Sequence, residues 1–391
     1  MSTFINRRQL LKTGALLAGG MGLIPAALAN KTQPSPPAEV FDALRTWETD
    51  ESVILSAPPD IKARLSANEN PFGPSPKAKK AIQDAITDSY RYPFMFSREL
   101  ITKIAEFEGV QANQIIMGAG SSPLLLAAAL YFSKEGGSII TGDPSYQDLP
   151  EKAAQFKANI VRVPLTADYK LDLKAMEKAI GADTKLVYLC NPNNPTATVL
   201  DTAELKAFCE RVSTKVPIFI DEAYIDYLDD PKGASMMEAV RKGQNVIIAR
   251  TFSKLYGFAG LRVGYAVGPA ATVQSMNRYT NAGMCISATS LQAAYASYND
   301  MEFLNDAKAK TMASKKFLYE VLEKEGYTWI PSSANFVMFP IKMEASKFGM
   351  EMVKRGVSIR TWRFAGKDWC RISLGTMEEM QEFAKAFREI S

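Results

Sequence analysis

The stretch Arg250-Thr-Phe-Ser-Lys-Leu-Tyr-Gly-Phe-Ala-Gly-Leu-Arg-Val-Gly264 directly follows an apolar run at residues 245–249, Asn-Val-Ile-Ile-Ala. An apolar run of this length that opens into polar and glycine residues predicts a buried strand ending in a loop. Lys254 is therefore expected at a strand end, where α/β folds hold their chemical groups. A single lysine in this position is usually a solvated surface residue, so its function depends on what the rest of the chain supplies.

Two further stretches end apolar runs in the same way: Cys190-Asn-Pro-Asn-Asn-Pro-Thr196 and Ile218-Phe-Ile-Asp-Glu-Ala-Tyr224. With Lys254 they supply an amine, a carboxylate, a phenol and an amide, the groups needed to hold and use pyridoxal phosphate. The order and residue types of the three motifs resemble the fold-type I pyridoxal-phosphate aminotransferases, most closely the histidinol-phosphate aminotransferase branch. The resemblance covers roughly residues 60 to 391.

Composition places the chain among globular proteins. Its 391 residues are 47% hydrophobic and 23% charged, enough for one large domain and a smaller one. The formal net charge is +4, and residues 1–29 carry three of the basic residues and no acid, so no nucleic-acid-binding surface is indicated. Histidine is absent, which excludes a His-containing triad and any His-ligated metal site.

Residues 1–29 have the pattern of a twin-arginine signal peptide. Arg7 and Arg8 precede an apolar, glycine- and alanine-rich run to Ala26, and Ala27-Leu-Ala29 has the small-x-small form of a cleavage site. This pattern predicts export of the folded protein to the periplasm by the twin-arginine translocase. An amphipathic helix or an uncleaved membrane anchor is the alternative, although the run is short and glycine-rich for a spanning helix.

The four cysteines show no C-x-x-C spacing, so neither a disulfide framework nor a metal site is indicated. All of them lie in apolar or motif contexts. We therefore expect free, buried thiols at each position, which are Cys190, Cys209, Cys285 and Cys370.

Strand-like and helix-like segments alternate over residues 76–298. This alternation predicts an α/β domain with a mostly parallel sheet that helices cover on both faces. A smaller α+β domain is expected over residues 299–391, joined by part of an N-terminal arm at residues 30–75. The resemblance implies the architecture of the fold-type I pyridoxal-phosphate transferases for the whole.

A strand, a small-residue loop and a helix are predicted over residues 114–129. Pro123 suits the first helical position, so the backbone N–H groups of Ser121 and Ser122 would lie at a helix N-terminus. Such a terminus binds anions through its N–H groups and its dipole. The segment therefore predicts a cradle for the cofactor phosphate.

The resemblance adds further residues to the phosphate site. Ser253 and Arg262, both within the lysine stretch, are implied to bind the phosphate in the same chain. Tyr92, in an Arg-Tyr-Pro turn, is implied to reach the phosphate bound by the neighbouring subunit. A homodimer with shared active sites follows from this implication.

Five residues are expected around the cofactor ring. Tyr146, after a predicted strand, is implied by the resemblance to stack on the pyridine ring. Asn194 and Tyr224 would hydrogen-bond the phenolic oxygen. Asp221 would keep the pyridine nitrogen protonated, because an opposite charge favours the charged form, and the ring then acts as an electron sink. Lys254 would bind the cofactor covalently through its amine.

Two arginines in the C-terminal segment match substrate-binding positions of the family. Arg371 is implied to bind the substrate α-carboxylate through its planar fork, beside Asn194. Arg360 is implied to help hold a distal group of the substrate. Either arginine could instead be a surface residue.

These residues predict an aminotransferase that exchanges an amino group between an amino acid and a 2-oxo acid by ping-pong chemistry. Lys254 would move a proton between the substrate α-carbon and the cofactor C4′ as general base and acid. A lyase or decarboxylase on the same scaffold is an alternative, since no motif reports which bond breaks. A non-catalytic pyridoxal-phosphate-binding protein is another, although such a protein has no need of Arg371. Histidine biosynthesis uses phosphorylated intermediates in the cytoplasm, so an exported member is expected to have another substrate.

Overall fold

The computed structural model describes residues 60–281 and 284–391. The predicted signal peptide at residues 1–29 and most of the predicted arm at residues 30–75 therefore lie outside the described residues. Within the described ranges, none of the helices has the length and apolar character needed to cross a bilayer.

The strands in chain order are β1 (Ala63–Arg64), β2 (Ile115–Gly118), β3 (Ser138–Asp143), β4 (Asn159–Pro164), β5 (Thr184–Cys190), β6 (Ile218–Asp221), β7 (Val246–Thr251), β8 (Gly264–Val267), β9 (Phe336–Ile341), β10 (Val357–Ser358), β11 (Arg360–Phe364) and β12 (Lys367–Ser373). The α helices are α1 (Pro76–Ala85), α2 (Phe94–Glu108), α3 (Ser122–Ser133), α4 (Asp148–Gln155), α5 (Leu173–Lys178), α6 (Thr202–Val212), α7 (Pro231–Ala234), α8 (Met237–Arg241), α9 (Ala270–Met276), α10 (Ala288–Ser297), α11 (Met301–Lys324), α12 (Ala345–Lys354) and α13 (Met377–Arg388).

Seven strands form the central sheet in the order β2-β8-β7-β6-β5-β3-β4. The run from β4 through β3, β5 and β6 to β7 is parallel throughout. Strand β8 is antiparallel to both of its neighbours. It reverses direction because the loop at residues 252–263 joins it to β7 without a crossover helix. The prediction of a mostly parallel α/β sheet is confirmed.

The middle strands are buried on both faces, which explains their continuous apolar runs. Successive side chains of a strand point to opposite faces. In β5, Val187 and Leu189 accordingly pack in one core with helices α2 and α6. Leu186 and Tyr188 pack in a second core with helices α3 and α4.

A second sheet has the order β11-β12-β9 and is antiparallel. One of its faces packs against helices α12 and α13 in a separate hydrophobic core that includes Phe339, Ile372 and Phe387. Ala63 and Leu65, at the start of the described chain, are buried in the same core. Strand β1 also pairs in parallel with β10. The N-terminal part of the described chain thus packs with the C-terminal segment.

The domain boundaries given above stay predictions, because one helix contributes to both cores. Leu304 and Ala307, in the first half of α11, pack in the large core. Leu318 and Leu322, in its second half, pack in the small one. Helix α11 is therefore a continuous connection between the two cores.

The prediction that every cysteine is buried is wrong at one position. Cys190, Cys209 and Cys370 are buried and unpaired, as expected. Cys285 is exposed, because it lies in the connection that precedes α10 and not in a strand or a helix.

Candidate active site

The parallel strands bring the three motifs together at one edge of the sheet. Strands β5, β6 and β7 are neighbours, and their register places Cys190 beside Asp221 and Asp221 beside Ala249. Asn194 and Lys254 follow the ends of β5 and β7, whereas Asp221 is the last residue of β6. Because the carboxyl ends of parallel strands meet at the same edge, these side chains converge.

Lys254 is held in the loop between β7 and β8. Asn70 fixes the loop, because its Nδ2 donates to the Leu255 carbonyl at 2.6 Å. Gly257 has φ +75°, and a Cβ there would collide with the Gly73 carbonyl, so the close approach requires glycine. The Lys254 Nζ lies 3.4 Å from the Ala67 carbonyl oxygen.

The amine of Lys254 is poised to lose its proton near neutral pH. Burial, followed by the positive charge of Arg371, lowers the pKa of Lys254 from 10.5 to about 8. The Nζ also lies 5.4 Å from the centroid of the Tyr224 ring. The lowered pKa makes the uncharged amine easier to reach at physiological pH than it is for an exposed lysine, as a nucleophile or general base needs.

Asp221 is a buried carboxylate with no ion pair in the described chain, 2% exposed. Its Oδ1 accepts from the Ala223 N–H at 3.1 Å, and the Tyr188 hydroxyl donates weakly to Oδ2 at 3.5 Å. Burial raises the pKa of Asp221 to about 7. A cationic nitrogen placed against this carboxylate would restore its ionisation, which fits a protonated pyridine ring.

The N-terminus of α3 forms an anion cradle with the lysine loop. Ser121 caps the helix and Ser122 begins it, and their N–H groups donate to no described residue. The prediction that Pro123 occupies the first helical position is wrong, because the helix begins one residue earlier and Pro123 is its second residue. Arg262 reaches across to this turn, with Nη1 3.2 Å from the Ser253 Oγ and Nη2 3.2 Å from the Ala119 carbonyl.

Glycine is required beside the Arg262 guanidinium. Gly120 has φ +79°, and a Cβ there would overlap the Arg262 Nη2. Gly264 lies against the Ser121 backbone, where a Cβ would also collide. Arg262 makes no ion pair with a described carboxylate, so the cradle presents a guanidinium, a hydroxyl and free N–H groups. These groups fit a phosphate dianion.

Asn194, after β5, and Tyr224, after β6, each keep a hydrogen-bond donor that could bind an oxygen of a ligand. The Asn194 Oδ1 accepts from the Arg371 Nη1 at 2.7 Å, which leaves the Asn194 NH₂ group free to donate. The Tyr224 hydroxyl oxygen accepts from the Asn68 Nδ2 at 3.0 Å, which leaves its O–H free to donate. Both expected contacts to a phenolic oxygen are therefore chemically possible here.

Arg371 is the most unusual charge of the site. It is 5% exposed, and its Nη2 donates to the Ser66 carbonyl at 2.7 Å. Its Nε is buried without a hydrogen-bond partner, and the described chain places no carboxylate against it. Burial lowers the pKa of Arg371 to about 10, and the charge of Arg360 contributes to the decrease. An anionic ligand would stabilise a buried guanidinium in this state.

The remaining predicted residues differ in their relation to this cluster. Tyr146, after β3, is half-buried, and the charge of Asp221 contributes to the rise of its pKa, after burial and the charge of Asp148. Arg360 lies directly opposite Arg371 in the register of β11 and β12. Tyr92 is 74% exposed on the chain surface, so it does not join the site of its own chain.

Sequence reasoning missed two supporting networks. Asn68 holds Tyr224, and its own N–H donates to the Ser373 Oγ at 2.8 Å, which ties the site to β12. Glu222, next to Asp221, accepts from the Arg250 Nε at 2.9 Å. The motifs contain Glu222 and Arg250, but their sequence positions do not indicate that they pair.

The raised pKa of Asp221 predicts a pH-dependent stability of the ligand-free protein. The unfolded chain loses this proton near pH 4 and the folded chain near pH 7, so stability falls as the pH rises through this range. Asp221→Asn removes that loss. The quantity to compare is the free energy of unfolding of the variant minus that of wild type, measured by urea unfolding. We expect this difference to be about 2–3 kcal/mol larger at pH 8 than at pH 5.

The matched control is Asp84→Asn, at an exposed aspartate of α1. Any pH dependence that it shares with Asp221→Asn does not come from the burial of Asp221. An Asp221→Asn effect that does not change between pH 5 and pH 8 would contradict the assignment of a neutral, buried carboxyl.

Comparison with known proteins agrees with this geometry. Residues 60–387 match the family model "Aminotransferase class I and II". The histidinol-phosphate aminotransferase of Moorella thermoacetica is 34% identical over 329 residues, covering 84% of this chain and 85% of the relative. Histidinol-phosphate aminotransferase 2 of Carboxydothermus hydrogenoformans is 35% identical over 332 residues, with 84% and 90% covered.

A solved structure shares the fold. The histidinol-phosphate aminotransferase from Sinorhizobium meliloti, in complex with pyridoxal-5′-phosphate, has a TM-score of 0.78 and 26% identity. The alignment covers 96% of this chain and all of that one. The matched range and these identities show that the chain belongs to the class I and II aminotransferases, pyridoxal-phosphate-dependent enzymes of fold type I.

Proposed function

We propose that this chain transfers an amino group from an amino acid to a 2-oxo acid, with Arg371 as the carboxylate-binding residue and Lys254 as the proton-transferring base. The observation that carries the proposal is the buried Arg371 guanidinium, which lacks a carboxylate partner in the described chain and bonds to Asn194. Substrates of both half-reactions carry the α-carboxylate that such a group needs. A protein that only stored the cofactor would not need this cation.

The residues of the cradle would hold the cofactor phosphate, and those of the sheet edge would hold its ring. The phosphate would be bound by Arg262, Ser253 and the N–H groups of Ser121 and Ser122. Asp221 would face the pyridine nitrogen. The ring contacts would come from Tyr146, Asn194 and Tyr224. Bound there, pyridoxal phosphate supplies an electron sink for the α-carbon of the substrate.

Lys254 would then act on the α-carbon proton. Its pKa of about 8 makes it a base close to physiological pH and an acid of similar strength once protonated. Arg371 would orient the substrate by a two-point contact with the α-carboxylate, and Arg360 would face a more distal substrate group. The relatives act on histidinol phosphate by name; the proposal for this chain is limited to an amino acid and a 2-oxo acid.

The active enzyme would be a homodimer in which each subunit completes the site of the other. Tyr92 supports this proposal, because its ring is exposed beside the similarly exposed Tyr90 and Phe94. An exposed aromatic patch of this kind is typical of a protein–protein contact. The Tyr92 hydroxyl would contact the phosphate in the partner subunit.

Export in the folded state would follow from the N-terminal pattern. The site combines residues from Asn68 to Ser373, so it forms only after the chain has folded. A pathway that threads unfolded chains would deliver a protein without its charged cofactor. Transport of the folded enzyme by the twin-arginine translocase to the periplasm would avoid that problem.

The assigned role of Lys254 can be tested by removing its amine. Lys254→Ala should lose turnover by at least about a hundredfold while it retains the phosphate contacts, because proton transfer contributes 10²–10⁴-fold. Formation of a 2-oxo acid from an amino-donor panel measures the loss and also separates transamination from decarboxylation. The control is Lys315→Ala, since burial lowers the pKa of Lys315 to about 8 as well. Turnover within tenfold of wild type in Lys254→Ala would contradict the proposal.

The second prediction concerns shared sites. Lys254→Ala and Tyr92→Ala should each be impaired, and a heterodimer of the two should recover one intact site. Activity after mixing, with heterodimers verified by native mass spectrometry, tests this expectation. Tyr90→Ala should remain active alone, because only Tyr92 is assigned to the phosphate. No recovery in verified heterodimers would rule out sharing through Tyr92.

The third prediction concerns export. Replacing Arg7 and Arg8 by lysine keeps the charge but should leave active enzyme in the cytoplasm, which cell fractionation measures. Lys12→Gln, in the same segment, should still be exported because the arginine pair is retained. Normal periplasmic amounts of the double-lysine variant would show that the signal assignment is wrong.

A further inference from the structure

The geometry points to Trp362 as the residue that selects the amino donor: its indole ring forms a wall of the substrate pocket and favours donors with a flat, aromatic side chain. This inference rests on the proposed function, because it takes Arg371 as the residue that binds the α-carboxylate. Trp362 lies in β11, outside the three motifs around which the site is built.

The register of the small sheet places Trp362 on the face that carries the substrate arginine. Arg360 pairs with Arg371, and Trp362 with Trp369, across β11 and β12. Residues that alternate along a strand share a face, so Arg371 and Trp369 lie together. The opposite face carries Cys370 and Ile372, which are buried in the small core. The face with the arginines is therefore the one that meets Asn194, which accepts a hydrogen bond from Arg371.

The Arg371 guanidinium lies close to two aromatic rings. Its central carbon lies 5.1 Å from the centroid of the Trp362 ring and 5.3 Å from that of the Phe336 ring. Both distances are within the range of a cation–π contact. Phe336 is fully buried, whereas Trp362 is only partly buried. The indole ring is therefore not fully covered by the described chain.

A small aromatic cluster, in which Trp369 is only 2% exposed, supports Trp362 on the side of β11 and β12 that carries Arg371. Trp369 stacks on Phe364 with centroids 4.9 Å apart and meets the Tyr169 ring edge-on at 5.3 Å. Trp362 packs against the same small cluster. The cluster therefore holds the indole ring in place, and a fixed, partly exposed aromatic ring beside the guanidinium suits an aromatic ligand.

Connectivity within an amino acid places its side chain near this wall. The side chain begins on the atom next to the carboxylate carbon, so a carboxylate on Arg371 brings it within reach of Trp362. Arg360 lies across from Arg371 and offers an acidic side chain a competing partner. A pocket selective for aromatic donors should therefore bind an aromatic carboxylate more tightly than a dicarboxylate. A pocket selective for acidic donors should show the reverse order.

Three carboxylates without an amino group test the selection on the holoenzyme by isothermal titration calorimetry. They are 3-phenylpropionate, 3-cyclohexylpropionate and glutarate. Aromatic stacking contributes about 0.5–1.5 kcal/mol beyond buried area, so we expect 3-phenylpropionate to bind about two- to tenfold more tightly than its cyclohexyl analogue. Equal binding of the two ring compounds, or tighter binding of glutarate, would overturn the inference.

Variants separate selection from simple support of Arg371. In Trp362→Leu the ratio of the two dissociation constants should fall to about one, and in Trp362→Phe the preference should persist. If Trp362 only held the guanidinium in place, both ligands would weaken equally and the ratio would stay as in wild type, contrary to the inference. Trp329→Leu is the control, because Trp329 is also partly buried and stacks on Tyr319 in the small core.

Turnover of phenylalanine and alanine distinguishes failure of this inference from failure of the proposed function. An enzyme that converts phenylalanine with a higher kcat/KM than alanine, in a manner that depends on Trp362, meets the expectation. Conversion of alanine without a preference for phenylalanine would end the inference alone. Conversion of no amino donor would end the proposed function.

Discussion

The burial of unpaired charge at one edge of the central sheet is the constraint on which the rest of the structure depends. Asp221 and Arg371 are buried and Lys254 is partly buried, and none of the three forms an ion pair with another described residue. Their pKa values shift accordingly, to about 7, about 8 and about 10. Each shift records a cost to the folded chain that a ligand of complementary charge can offset. A cationic ring nitrogen and a substrate carboxylate have the required charges.

The surrounding fold keeps these groups in place by pairing the other polar groups nearby. Glu222, adjacent to Asp221, is buried but bonded to Arg250 and to the hydroxyl of Ser235 at 2.8 Å. Asn68 links Tyr224 to β12. The contrast between fully paired and unpaired buried groups separates residues that support the site from residues that bind ligands.

Much of this arrangement could be predicted from the sequence, because the residues that carry the chemistry stand at the ends of apolar runs. Parallel strands bring such positions together, so Asn194, Asp221 and Lys254 could be grouped before their positions were known. The antiparallel direction of β8 and the exposure of Cys285 depend on the path of a loop, which local patterns do not report.

Contacts between segments that are distant in the sequence could not be predicted either. No spacing indicates that Asn68 holds Tyr224, 156 positions away, or that Trp362 covers the guanidinium of Arg371. The second contact depends on the register of β11 and β12, which the short antiparallel connection at residues 365–366 sets. Tyr92 could be named only through the resemblance, since the completed site is expected to need a second subunit.

The central claim is that the partly buried amine of Lys254 is the group to which the cofactor is linked. Borohydride reduction of the holoenzyme, followed by trypsin digestion and mass spectrometry, tests it directly. The account predicts a cofactor label on residues 251–262, a peptide left uncut at Lys254 because the modified lysine resists trypsin. A label on Lys315, a partly buried lysine whose pKa is also lowered to about 8, or one spread over surface lysines would contradict it.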